Sequence, residues 1–220
     1  MNVFRWLQIL LTGTVLIGPA LGASGQAIAA PVLPVSVLTQ SPADTKTDLQ
    51  IICLFNSLPA DTLHGSLVEI DEKLHGLLDQ IRKPSLFNGD LGETILLTPP
   101  AGTLSAKKLL IIGLGDSSGF TPQRMYLVGK IALREANRLG IAHPIFAPTV
   151  LDGGVTGFAT GDVAREVVRG FRDALASESA LRSGNAAEPL AVVDFTFLAG
   201  AKHAADTQSG IDDALRTAQH

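Results

Sequence analysis

The residues best suited to chemistry lie in a glycine-rich turn, Gly113-Leu-Gly-Asp-Ser-Ser-Gly119, which continues an apolar run. Glycines between a strand and a helix start expose backbone N–H groups that attract phosphate. The turn also contains Gly-x-Ser-x-Gly around Ser117, the pattern that presents a serine nucleophile in hydrolases. A third interpretation is a plain connection, because aspartate and serine are ordinary turn residues.

The phosphate interpretation is restricted by what surrounds the turn. A dinucleotide site needs an acidic residue at the end of the following strand, and the predicted strand 141–147 ends without one. The Walker lysine is also absent from the turn. Nicotinamide and flavin binding are therefore disfavoured, whereas a looser anion or nucleotide site stays open.

The serine interpretation has the chain order of a hydrolase triad, since His203 follows the last predicted strand. A nucleophile serine, however, sits at a sharp junction between strand and helix. Here Thr121-Pro122 places the helix start four or five residues after Ser117. A turn role for Ser117 is favoured, and a serine hydrolase remains the alternative.

Metal and cofactor chemistry have little support. The five histidines form no His-Glu-x-x-His motif, and the single cysteine, Cys53, lies in an apolar strand. We therefore expect no metal site, no cofactor and no intrachain disulfide. His143, within a predicted strand, is interpreted as a core histidine. A second glycine-rich turn begins at Asp152-Gly153-Gly154.

Residues 1–29 have the pattern of a secretory signal peptide. Arg5 precedes an apolar run over 7–21, and Ala27-Ile-Ala29 fits the small residues that signal peptidase requires. The run is shorter than the roughly 20 residues that span a bilayer. The pattern predicts a periplasmic or secreted protein without stable membrane insertion after cleavage; an uncleaved anchor is the alternative.

The charge pattern does not favour nucleic acid as a partner. The formal net charge is −4, from 17 basic and 21 acidic residues. The basic residues are scattered along the chain, whereas a nucleic-acid interface needs a basic stripe or patch.

Strands and helices alternate after a short start, which predicts a single α/β domain over 30–220 with helices on both faces of its sheet. The apolar runs predict strands over 35–38, 49–55, 93–98, 107–114, 141–147 and 190–198. Helical periodicity predicts helices over 67–81, 122–139, 162–176 and 204–218. The polar stretch 177–189 is predicted to be a flexible connection.

Several motifs in order resemble the N-terminal domain of the leucyl aminopeptidase, or cytosol aminopeptidase, family. The most specific are Phe87-Asn-Gly-Asp-Leu-Gly92 and Lys107-Lys-Leu-Leu-Ile-Ile-Gly-Leu-Gly115, followed by the helix that starts at Thr121-Pro122. The resemblance implies a three-layer α/β/α sandwich with a mixed, mostly parallel sheet. It also implies similarity to macro domains, which bind ADP-ribose, and a role in subunit assembly.

In that family the chemistry belongs to a separate C-terminal domain that holds two metal ions and carries the signature Asn-Thr-Asp-Ala-Glu-Gly-Arg. The signature is absent from these 220 residues, so no catalytic residue is assigned. We expect an exported, non-catalytic binding or assembly module. A non-catalytic subunit of a metallo-aminopeptidase, or a related enzyme, is the alternative.

The resemblance to macro domains implies ligand loops after three of the strands. The candidate ligand-binding residues are Asn56, Gly113, Gly115, Asp116, Ser117, Ser118, Gly119, Asp152, Gly153 and Gly154. The expected partners are a small-molecule or nucleotide-like ligand and a protein partner or second copy of the chain.

Overall fold

Six strands form one sheet in the computed structural model, which describes residues 33–58, 62–82 and 86–217. The predicted signal peptide lies outside the described residues. The strands are β1 (Val35–Leu38), β2 (Gln50–Leu54), β3 (Thr94–Leu97), β4 (Leu109–Gly113), β5 (Ile145–Phe146) and β6 (Phe195–Leu198). Their order across the sheet is β1-β6-β5-β2-β4-β3. All neighbours are parallel except β3, which runs antiparallel to β4.

Helices cover both faces of this sheet. They are α1 (Gly65–Lys73), α2 (Leu77–Arg82), α3 (Arg124–Arg138), α4 (Thr160–Ser183) and α5 (Ala204–Arg216), the last preceded by a 3₁₀ turn over Ala201–His203. Strand side chains alternate between the two faces: Ile51 and Cys53 pack with α3, α4 and α5, whereas Ile52 and Leu54 pack with α1 and α2. This confirms the predicted α/β/α sandwich with a mixed, mostly parallel sheet.

Glycines let the helices of one layer approach closely. A β-carbon on Gly170 of α4 would overlap the Tyr126 carbonyl oxygen of α3, and one on Gly161 would lie 2.7 Å from the Asp206 carbonyl oxygen of α5. The three helices therefore pack backbone against backbone, and their glycines are required for space.

The predicted helix 67–81 is interrupted. His75 and Gly76 adopt positive φ values of 58° and 79°. The Asp71 carboxylate then accepts a hydrogen bond from the Leu78 N–H at 2.8 Å, which satisfies an N-terminal donor of α2. Apolar periodicity continued across this break because both helices face the same core.

The interpretation of 177–189 as a flexible connection was wrong over its first part, since α4 continues to Ser183. Strong helix formers extend the helix there although the segment is polar. His143 was also misassigned: β5 is confined to Ile145–Phe146, and the His143 side chain is 67% exposed and lies 2.8 Å from Asp194.

Candidate functional site

A cavity of about 870 Å³ opens at the carboxyl ends of β1, β6 and β5. The segments that follow these strands, 39–42, 199–203 and 147–152, form its rim and floor. Open α/β sheets bind ligands at this edge, and the volume lies within the roughly 300–1,000 Å³ of small-molecule sites.

One wall of the cavity is acidic and is formed by the start of α1. Glu69 accepts a hydrogen bond from the Ser41 hydroxyl at 2.5 Å. Asp152, from the segment after β5, lies beside it and accepts hydrogen bonds from the hydroxyl and backbone N–H of Ser66. Burial raises the pKa of the Asp152 carboxyl, the Ser66 hydrogen bonds oppose that rise, and the Glu69 charge adds to it.

Asp152 thereby caps α1 from another part of the chain. The residue before α1, His64, makes no side-chain cap hydrogen bond. A β-carbon at Gly65, where φ is 50°, would collide with the Asp152 carboxylate. Glycine at this position is therefore what lets the carboxylate reach the N–H groups at the start of the helix.

The opposite wall is basic and is formed by Lys202 and His203, just ahead of α5. Behind it, Asp206 accepts hydrogen bonds at 2.8 Å from the Gly161 N–H and from the Thr160 hydroxyl. These bonds lower the pKa of Asp206, the Gly161 N–H most of all, and His203 lowers it further. Asp206 thus caps α4, whose preceding residue, Ala159, has no capping side chain.

Thr149, in the floor of the cavity, is a strained residue. It is buried at a φ of 49°, which is costly for a β-branched side chain. Its hydroxyl accepts from the Cys53 N–H at 2.9 Å and donates to the Cys53 carbonyl at 2.6 Å. These bonds continue the pairing of β2 beyond the short β5, and strain of this kind concentrates at binding and active sites.

The glycine-rich turn lies elsewhere, after β4. Its first three backbone donors are occupied: the N–H groups of Gly113, Leu114 and Gly115 bond to the carbonyls of Glu93, Leu54 and Gly89 at 2.8 Å each. A β-carbon at Gly113 would overlap the Asp90 carbonyl oxygen. These glycines allow close backbone packing, and these three N–H groups are used within the protein.

The side chains of this turn also bond to one another. Asp116 accepts from the Ser57 hydroxyl at 2.9 Å and from the Ser118 hydroxyl at 2.7 Å, which lowers its pKa. The Ser117 hydroxyl lies 3.4 Å from that of Ser57. Among the described residues, no histidine lies within hydrogen-bond distance of Ser117. His203 follows β6, which β5 and β2 separate from β4.

Of the ten residues predicted for a ligand site, Asp152 lines the cavity. Asn56 lies with the glycine-rich turn, where its N–H bonds to the Gly115 carbonyl at 3.0 Å. Gly119 lies beside Arg124, and the buried Gly153 packs under the Phe55 ring. Gly154 takes a turn conformation with a φ of 79°.

Several polar residues of the cavity were not predicted from the sequence, among them Gln40, Glu69, Thr149 and Lys202. Position directly after predicted strands was the available signal for Gln40, Thr149 and Lys202. Within the described ranges no group of histidine, cysteine, aspartate and glutamate is arranged to hold a metal ion. The helices of the same ranges lack the length and apolar character needed to cross a membrane.

Relatives of the chain are found by sequence and by structure. The N-terminal domain of the cytosol aminopeptidase family matches residues 53–185. A "probable cytosol aminopeptidase" of Burkholderia mallei is 32% identical over 89 residues, which are 40% of this chain and 17% of the relative. One from Paraburkholderia phytofirmans is 37% identical over 81 residues, 37% of this chain and 15% of the relative. The matches thus span less than a fifth of these relatives.

Solved structures share the fold. A mutant of tomato leucine aminopeptidase superposes with a TM-score of 0.66 at 19% identity, over 86% of this chain and 37% of that one. The Trypanosoma brucei macrodomain in complex with ADP-ribose superposes with a TM-score of 0.57 at 18% identity, over 82% of this chain and 68% of that one. Sequence and fold agree, and the chain belongs to the cytosol aminopeptidase family, as a representative of its N-terminal domain.

Proposed function

We propose that this chain is an exported, non-catalytic binding module whose cavity at the carboxyl ends of β1, β6 and β5 holds a small molecule. The observation that carries the proposal is the cavity itself, about 870 Å³ in volume and lined by four ionisable side chains, Glu69, Asp152, Lys202 and His203. Apolar surface from Phe158 and Phe197 completes it. A few convergent polar groups on an apolar lining are typical of small-molecule sites.

The strained Thr149 supports this position for the site. Its two hydrogen bonds to Cys53 hold the cavity floor in one conformation before any ligand arrives. A preorganised floor reduces the entropy lost on binding. The ADP-ribose complex of the T. brucei macrodomain makes nucleotides one ligand class to test.

Export and the absence of catalysis are parts of the same proposal. The signal-peptide pattern of residues 1–29 supports export. The match of residues 53–185 to the N-terminal domain of the family supports a non-catalytic role, because the resemblance places the chemistry in a separate C-terminal domain. Fractionation of the producing cells tests export. An assay for hydrolysis of leucyl-p-nitroanilide, with and without a chelator, tests the absence of catalysis.

A cavity-filling variant tests binding directly. A β-carbon at Gly200, on the rim, would meet its nearest neighbour at 3.9 Å, so Gly200→Trp fits without a clash at the backbone. Gly184→Trp, remote from the cavity and with its nearest contact at 3.5 Å, is the matched control. In a thermal-shift screen of nucleotides, sugar phosphates, amino acids and peptides, we expect at least one compound to raise the melting temperature. That compound should no longer stabilise Gly200→Trp and should still stabilise Gly184→Trp. No stabilisation by any class would contradict the binding proposal.

Assembly is a second candidate, favoured by an open sheet edge. Within the described ranges β3 pairs only with β4, so its other edge is open. The side chain of Leu96 in β3 is 42% exposed. Leu91 and Leu127, at 44% and 40%, add apolar surface on neighbouring elements. If this edge mediates assembly, Leu96→Lys lowers the mass measured by light scattering, alone or with an aminopeptidase catalytic subunit. An unchanged mass counts against this edge.

A further inference from the structure

We propose that the cavity binds a short peptide with free ends, its ammonium on the Glu69–Asp152 wall and its carboxylate on the Lys202–His203 wall. This inference rests on the proposed binding function and names its ligand class.

The usual anion sites of this edge are filled by the protein itself. The N-terminus of α1 carries the Asp152 carboxylate, and the N-terminus of α4 carries that of Asp206. Helix N-termini at the carboxyl edge of an α/β sheet are where phosphates bind, through free N–H groups and the helix dipole. Here a fixed carboxylate occupies each, so a phosphate would lose those donors and meet like charge.

Asp152 and Glu69 both line the cavity and are close enough for the charge of Glu69 to raise the pKa of Asp152. Their hydrogen-bond partners are the serines Ser66 and Ser41, and the charge of His64 lowers the pKa of Asp152 in part. None of the described ion pairs involves Glu69 or Asp152, so the pair favours a positively charged group between them, and an ammonium offers three N–H donors.

Lys202 lines the cavity beside His203, and none of the described ion pairs involves Lys202. Asp206 lies near His203, but its carboxylate is bonded to the start of α4. Lys202 is therefore the group on this wall that is available to a carboxylate.

The two walls belong to different layers of the sandwich. Glu69 is on α1, which packs on one face of the sheet, whereas Lys202 precedes α5 on the other face. The ends of β1, β6 and β5 lie between them. A single amino acid places its charges only about one residue length, roughly 3.5 Å, apart, so walls on opposite faces of the sheet favour a ligand of more than one residue. Phe158 and Phe197 between the walls offer surface to its apolar side chains.

Isothermal titration calorimetry with four probes tests the proposal: Ala-Ala-Ala, its N-acetylated form, its C-terminal amide, and ADP-ribose. We expect the free tripeptide to bind, and N-acetylation and amidation each to weaken the Kd about tenfold. In Glu69→Gln the free and the N-acetylated tripeptide should bind with the same Kd. In Lys202→Gln the free tripeptide and its amide should bind with the same Kd. Glu72→Gln on the outer side of α1 and Lys108→Gln at the start of β4 are matched controls, since neither residue lines the cavity.

The outcomes separate this inference from the proposal on which it rests. Binding of ADP-ribose in the cavity, blocked by Gly200→Trp, with no binding of the tripeptide, overturns the peptide inference and leaves the binding function standing. Equal affinity for free and blocked tripeptides also overturns it. Failure of all four probes, together with a negative thermal-shift screen, contradicts both.

Discussion

Thr149 shows how one side chain supports the cavity. Its hydroxyl satisfies the buried N–H and carbonyl of Cys53 at a point where β5 has already ended. We expect Thr149→Val to lower the free energy of unfolding by about 2–4 kcal/mol, because two buried backbone groups lose their partner. Thr149→Ser keeps the hydroxyl and should stay within about 1 kcal/mol of the wild type. Urea denaturation measures both, and an equal loss in the two variants would show that the hydroxyl is not the cause.

Asp206 gives a prediction with a defined pH dependence. Its pKa is lowered by hydrogen bonds from the Gly161 N–H and the Thr160 hydroxyl, so its contribution is present above the unfolded pKa, about 3.9. That contribution is lost as the pH falls through the lower, folded pKa.

We therefore expect Asp206→Ala to cost about 0.5–2 kcal/mol at pH 7, the range for loss of a helix cap. The difference from the wild type should narrow below about pH 4. Asp212→Ala, in the same helix but bonded to Gln208, is the control. Denaturation at pH 7 and pH 3.5 decides the matter, and a difference independent of pH would contradict the capping role.

At the scale of elements, the close contact between α3 and α4 depends on glycine, which has no side chain. A β-carbon at Gly170 would overlap the Tyr126 carbonyl oxygen and lie 2.9 Å from the Lys130 nitrogen. Gly170→Ala should destabilise the protein by about 1–3 kcal/mol, since backbone must move, despite the better helix propensity of alanine. Gly184→Ala, with ordinary contacts from 3.5 Å, should be nearly neutral. Thermal melts compare them; equal melting temperatures would show that the helices separate freely.

Local patterns predicted most elements because each depends on neighbours in sequence. The apolar runs of β2 and β4 and the amphipathic α3 and α5 lie where the periodicity placed them. The break at His75-Gly76 is a local turn with positive φ values, which apolar periodicity does not report, and β5 is shorter than its apolar run. At the polar end of α4 the prediction was a flexible connection, but the helix continues to Ser183 because helix propensity outweighs the polar composition.

At the scale of the whole molecule, the cavity could not be assembled from the sequence. Gln40 and Lys202 are distant along the chain. Both line the cavity because β1 pairs with β6, with Val35 opposite Phe195. Strand order is a global property, and no residue near Gln40 encodes it. The glycine-rich turn was more visible in the sequence, yet its glycines provide close packing around β4.

The most direct test of the account is to locate a bound ligand. Amide chemical shifts of the isotope-labelled protein would be followed during titration with Ala-Ala-Ala and, separately, ADP-ribose. We predict that the tripeptide shifts signals from 39–42, 147–152 and 199–203, the segments around the cavity. Shifts confined to 113–119, or none with either compound, would contradict the placement of the site.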